Sequence, residues 1–204
     1  MKRRNRGFTL LELMITVALV AIMITVVMPG FSEFFIRNRL TAQTNDFITA
    51  ISLARNEAIK RGRPVCLART GTYWEGGYRI FVDKNSLAYL PNDSDVCRTN
   101  GAIGCSPASA TCGCPPGDGS CEIQVQDIAL TGAHTLRATS GAGSGPYQLW
   151  LRFNAMGVAV DRNNNGIAGA FRLCRSDQNS TKSNLISISV AGSSFSKSGS
   201  GICP

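Results

Sequence analysis

The stretch Arg6-Gly7-Phe8-Thr9-Leu10-Leu11-Glu12, with the apolar run that follows it to Met28, decides how this chain is read. From Phe8 to Met28 stand 21 residues with a single charged side chain, Glu12. As a helix, a run of that length crosses a hydrocarbon layer. Lys2, Arg3, Arg4 and Arg6 precede it, and a basic leader predicts a cytoplasmic N-terminus by the positive-inside rule. The run does not close like a cleaved secretory signal, because Val26-Val27-Met28-Pro29-Gly30-Phe31 lacks the small-residue A-x-A pattern. A plain anchor leaves Glu12 unexplained. A carboxylate one turn into an apolar helix costs about 2.5 to 3.5 kcal/mol on insertion scales, less near the interface, so it needs a partner.

Gly7-Phe8-Thr9-Leu10-Leu11-Glu12-Leu13 resembles the type III signal of type IV pilins and type II secretion pseudopilins. The resemblance implies that a prepilin peptidase removes residues 1–7 by cutting between Gly7 and Phe8, and that Phe8 is then N-methylated. It also implies that the Glu12 carboxylate pairs with the terminal amine of a neighbouring subunit inside a filament, so that the buried charge is satisfied only on assembly. An intramembrane ionisable group is a functional candidate by default.

Once the anchor is set aside, roughly 140 residues remain, enough for one globular domain with a real core. The formal charge of +8 looks like a nucleic-acid signal until the leader goes, which takes four cations with it and leaves 17 against 13, a net of +4. That is a mild bias rather than a basic footprint. The leader's topology puts all eight cysteines outside the cytoplasm, where disulfides are favoured. A zinc site built on Cys105, Cys112, Cys114 and Cys121 does not fit, because Cys112-Gly-Cys114 is not a C-x-x-C knuckle and His134 is the one histidine.

Pro29-Gly30 is expected to kink or locally melt the first helix, since proline removes a backbone donor and collides with the preceding turn. Residues 8–28 then form a transmembrane, filament-core segment and 29–62 an amphipathic continuation. In the latter, Phe47, Ile51, Ala54 and Ala58 repeat at helical spacing until Arg61-Gly62-Arg63-Pro64 stops the helix. Strands are predicted near 64–68, 77–83, 122–130, 146–153, 170–175 and 184–191 by alternation and β-branching. The fold class is therefore α+β: one long N-terminal helix packed on an antiparallel sheet, with disulfide-stapled loops.

Two further stretches resemble the GspH/FimT group of minor pilins and pseudopilins. Ala54-Arg55-Asn56-Glu57-Ala58-Ile59-Lys60-Arg61-Gly62-Arg63-Pro64-Val65 is similar to that group's helix end. Tyr73-Trp74-Glu75-Gly76-Gly77-Tyr78-Arg79-Ile80-Phe81-Val82-Asp83 is similar to its next strand. The resemblance implies a type IV pilin fold with residues 63–204 as a periplasmic β domain. An insertion at 91–121 carries Cys97, Cys105, Cys112, Cys114 and Cys121; five is odd, so one pairs outside it, and Cys66 is the nearest candidate. Six cysteines allow 15 connectivities. Cys174 and Cys203 are left as a natural pair, and related minor pilins often staple their tail in this way.

Asp161-Arg162-Asn163-Asn164-Asn165-Gly166 opens like a calcium loop with Asp161, Asn163 and Asn165 as ligands, but Arg172 stands where the bidentate glutamate belongs. Asn-Gly hairpin turns give the same letters without an ion. The sequence offers no paired carboxylates, no nucleophile with a base and no phosphate loop, so neither an enzyme nor a cofactor is expected. The function implied is structural: a subunit that helps initiate or cap a type IV pilus at its tip, or the corresponding pseudopilin of type II secretion. Its partners are other pilins, the prepilin peptidase and the inner-membrane assembly platform. Some FimT-type members bind DNA through a G-R-x-R motif; Val190-Ala191-Gly192-Ser193-Ser194-Phe195-Ser196-Lys197 keeps the glycine and lacks both arginines. Phosphate contacts need cations, so DNA binding would rest on Lys197 and on a patch of Arg152, Arg162, Arg172 and Arg175, if their strands are neighbours.

Overall fold

A computed structural model of the chain describes residues 8–70, 72–83, 122–126, 130–139, 147, 149–161, 164–177, 182–199 and 203; the side chains of 26–30, 122, 125 and 126 fall outside that description. The leader, the cysteine-rich tract at 91–121 with its five cysteines, and Arg162 and Asn163 also lie outside it.

One helix, α1, runs from Leu10 to Arg61 over 52 residues. Contacts divide the chain into two units, the first ending at Arg39 and the second beginning at Leu40. In the second unit Leu40, Thr44, Phe47, Ile51, Ala54 and Ala58 are all buried, and their alternating spacing of four and three keeps them on one stripe of the helix. Gly62 ends α1 in the left-handed region at φ 60. Its N–H donates to the Ile59 carbonyl at 3.3 Å, and the Arg63 N–H donates to the Ala58 carbonyl at 3.3 Å. That pair of bonds is the Schellman closure, which occupies carbonyls left over by the last turn.

The expected interruption at Pro29-Gly30 does not break the helix, because α1 is helical through both residues. A proline removes one backbone donor, and the turns on either side propagate past that single loss.

Nine strands are described, all antiparallel, and they fall into two sheets rather than one. The first has the order β3-β2-β1-β5-β6, with β1 at Val65–Arg69, β2 at Tyr78–Val82, β3 at Glu122–Gln126, β5 at Trp150–Phe153 and β6 at Ala159–Val160. The second has the order β4-β7-β8-β9, with β4 at Thr135–Thr139, β7 at Gly169–Cys174, β8 at Asn184–Ile188 and β9 at Ser194–Ser198. Phe47 meets both. Its ring stands edge-on to Trp74 and Tyr78 on the side of the first sheet and to Phe171 of the second, with centroids 4.9 to 5.8 Å apart. Tyr147 stacks on Phe171 and accepts the Trp74 indole N–H on its carbonyl at 2.9 Å. Burial pushes the Tyr147 phenol well above its ordinary range, and its hydroxyl donates to the Ile167 carbonyl.

Cys174 and Cys203 form a disulfide that ties the end of β7 to the tail beyond β9. Cys66, buried in β1, is also disulfide-bonded.

Candidate functional site

The first unit begins with a capped helix start. The Thr9 hydroxyl accepts the Glu12 backbone N–H at 3.2 Å, and the Thr9 carbonyl accepts the Leu13 N–H at 3.2 Å. Threonine with glutamate three residues on is the spacing of a capping box, and an acidic side chain in the first turn faces the positive end of the helix dipole. Glu12 therefore stands where a helix favours a carboxylate even before any neighbour arrives. Sequence reasoning passed over Thr9, although the T-x-x-E spacing was there to be read.

From Phe8 to Thr25 every side chain is exposed, with Phe8 at 83% and Leu10 at 76%. No stripe separates an apolar face from a polar one. The hydroxyls of Thr16 and Thr25 donate to the carbonyls of Leu13 and Ile22, each at 2.8 Å. These two hydroxyls are thus closed upon their own helix, whereas the Glu12 carboxylate, whose side chain is exposed, has no such bond among the described residues. Among the described residues no helix is long and apolar enough to cross a membrane. The stretch of α1 with described side chains stops at Thr25, short of the Met28 to which the apolar run extends in the sequence.

Of the four arginines considered as a patch, Arg162 lies outside the described residues, and two of the other three are buried. Arg152 in β5 is buried and lies 3.1 Å from the Asp83 carboxylate at the end of β2. Arg175, just after β7, is buried and pairs with Asp177 at 3.1 Å. The buried Arg152–Asp83 pair commits its cation to the fold, and the Arg175 side chain is buried although its partner Asp177 is exposed. Arg172 in β7 and Lys197 in β9 do share a face: Arg172 stands opposite Leu185, and Leu185 opposite Lys197. Gly192 of the shortened motif serves the fold. It holds φ 78, and a Cβ there would collide with the Gly157 carbonyl oxygen and crowd Arg55, whose Nε donates to that same oxygen at 3.1 Å.

The Asp161 segment is closed by its own hydrogen bonds. Asp161 accepts the backbone N–H of Asn165 at 2.8 Å and its side-chain amide at 3.3 Å, and Asn164 takes φ 62. This is the hairpin-turn geometry that the same residues favour without an ion. His134 is buried, with Nδ1 2.7 Å from the Gln43 amide oxygen. An amide oxygen only accepts, so Nδ1 carries the proton.

A family profile described as "Type II transport protein GspH" matches residues 43–192, most of the chain. The chain belongs to the GspH family. A second profile, the prokaryotic N-terminal methylation motif, matches residues 2–28 of this GspH-family chain, over the leader and the capped helix start. Two fimbrial proteins of Pseudomonas aeruginosa are each 29% identical to it over 68 residues, which is 33% of this chain and 44% of theirs. The chain thus matches less than half the length of these relatives. A crystal structure of the type IV minor pilin FimU of Pseudomonas aeruginosa has the same fold, with a TM-score of 0.52 at 18% identity, covering 83% of this chain and 96% of that one. The fold is a type IV pilin fold, a long N-terminal helix on antiparallel sheets, as the sequence implied.

Proposed function

We propose that this chain is a minor pilin or pseudopilin that is processed, waits in the bacterial inner membrane and joins a filament through the first half of α1. The family and fold are those of structural pilins rather than enzymes, and the inference turns on the segment with no core of its own. Prepilin peptidase cuts between Gly7 and Phe8, and the new terminal amine of Phe8 is methylated. Residues 8–28 hold the subunit in the membrane with its N-terminus cytoplasmic and residues 63–204 in the periplasm. Glu12 then takes up the terminal amine of a neighbouring subunit on the assembly platform. We place the subunit at the tip of a type IV pilus, with the corresponding position in type II secretion as the alternative.

The observation that carries this reading is the exposure of every side chain from Phe8 to Thr25 in a helix that is already capped and internally hydrogen-bonded. An all-apolar helix surface is covered in its working state, and a filament core supplies both cover and counter-charge. Mass spectrometry of the chain co-expressed with a prepilin peptidase tests the processing step. The mature protein is expected to begin at Phe8 and to carry one extra methyl group on its amine; a chain that keeps residues 1–7 in the presence of active peptidase overturns the reading.

A further inference from the structure

Where residues 43–50 of α1 face the 3-10 turn Trp74–Gly76 and the starts of β2 and β4, a cleft of about 460 Å³ opens. That volume lies in the range of about 300 to 1,000 Å³ usual for small-ligand sites. All of its lining belongs to the second unit. Its apolar part combines Ala50, Leu130, Leu136 and Leu173 with three rings, Phe47 standing edge-on to Trp74 at 5.8 Å and to Tyr78 at 5.5 Å. The single polar atom of Trp74 is already bonded to the Tyr147 carbonyl, so the indole is fixed in place.

Two carboxylates, Asp46 and Glu75, stand among the lining residues, and of the two only Glu75 has a cation beside it, Arg137. The two acids differ. Glu75 is engaged inside the fold: it accepts from the Arg137 guanidinium and from the Leu136 N–H. Asp46 is exposed and has no ion pair or hydrogen bond among the described residues. Its charge reaches the Tyr78 phenol, which is pushed up to about 12, chiefly by burial and further by Asp46. At neutral pH that phenol is an uncharged hydrogen-bond donor.

An anion is repelled by this lining. A purely apolar ligand would leave Asp46 without a counter-charge. What matches it is a cation on an apolar stem: the stem lies along the apolar lining, and the charge comes within reach of the Asp46 carboxylate. We propose that this cleft binds a basic side chain, lysine or arginine, presented by a partner polypeptide, with Asp46 as its counter-ion and Phe47, Trp74 and Tyr78 as the surface along its stem. The proposal does not depend on the filament reading, because the cleft lies wholly in the second unit.

The test is an NMR titration of isotopically labelled full-length protein in detergent micelles, read at the indole N–H signals of the two tryptophans. Trp74 lines the cleft and Trp150, in β5, serves as the internal control. N-acetyl-lysine amide is expected to shift the Trp74 signal saturably, with a dissociation constant in roughly the millimolar range for so small a probe, while Trp150 stays put. N-acetyl-norleucine amide, which keeps the stem and loses the charge, is expected to bind at least about five-fold more weakly. Asp46→Asn is expected to remove that preference. Asp46 lies on the exposed side of α1, so this variant keeps the fold, which unchanged Trp150 and methyl signals verify. The proposal is overturned by equal shifts with both amides, by an undiminished lysine preference in Asp46→Asn, or by saturable binding of N-acetylglucosamine where the lysine probe has none.

Discussion

Residues 10–25 and residues 40–58 belong to the same helix, yet the first stretch leaves every side chain exposed while the second buries Leu40, Thr44, Phe47, Ile51, Ala54 and Ala58. Hydrophobicity does not explain the difference, because the exposed stretch is the more apolar of the two. Arrangement does. In the second stretch apolar side chains return every three or four residues and polar ones fill the gaps, so one stripe can pack while the rest is hydrated. In the first, apolar side chains point in all directions, and no single partner surface can cover them. One helix thus carries a half that is stabilised within the chain and a half that the described residues leave uncovered.

The sharpest way to break this comparison is to truncate one large side chain in each half. Phe47→Ala removes the ring that bridges both sheets and is expected to cost about 3 to 5 kcal/mol in urea unfolding followed by tryptophan fluorescence. Equal losses from Phe47→Ala and from Leu19→Ala in the first half would erase the distinction. Replacing Cys174 and Cys203 together by alanine opens a loop with a sequence separation of 29 and is expected to cost roughly 3.5 kcal/mol by chain entropy, checked in the same assay.

A pH series sharpens the second half further. The Tyr78 phenol titrates near 12 in the folded chain and near 10 when unfolded, because burial disfavours its charged form. Above pH 10 the unfolded chain binds fewer protons than the folded one. The contribution is therefore whole below pH 10 and falls by about 1.4 kcal/mol per pH unit on the way to 12. Tyr78→Phe is expected to reduce that slope in denaturation measured at stepped pH, leaving the share that the buried Tyr147 phenol supplies. Gly192→Ala, which drives a Cβ toward the Gly157 carbonyl at positive φ, is expected to cost about 1 to 3 kcal/mol. Smallest of all, Leu19→Ala is expected to leave the stability of the second unit within about 0.5 kcal/mol in detergent.

Much of this was legible in the sequence. The leader, the apolar run and Glu12 announce themselves as composition and spacing, and the stripe through Phe47, Ile51, Ala54 and Ala58 is a periodicity that folding preserves. The tail disulfide was legible as a remaining pair. What escaped reading depends on partners distant along the chain. Ser194–Ser198 stands outside every predicted strand and becomes β9 because β8 offers it an edge, with Ser196 opposite Ile186. Thr135–Thr139 becomes β4 through its register with β7, and those pairings make a second sheet where one was expected. Arg152 looks like a surface cation until β5 sets it beside Asp83. Strand neighbours alone decide such cases, and a linear pattern does not contain them. At Pro29-Gly30 the expected local melt does not occur, since the helix continues through both residues.

The central claim is that Glu12 works between subunits and only secondarily at the start of its own helix. Full-length Glu12→Ala and Thr9→Ala proteins, produced in cells that assemble fibres, separate the two roles by quantifying each in sheared fibres against its membrane pool. Thr9→Ala removes the cap that serves the helix alone and keeps the carboxylate. The account predicts that Glu12→Ala is processed, accumulates in the membrane and is lost from fibres, while Thr9→Ala still enters them. Entry of Glu12→Ala into fibres at the unsubstituted level would contradict it.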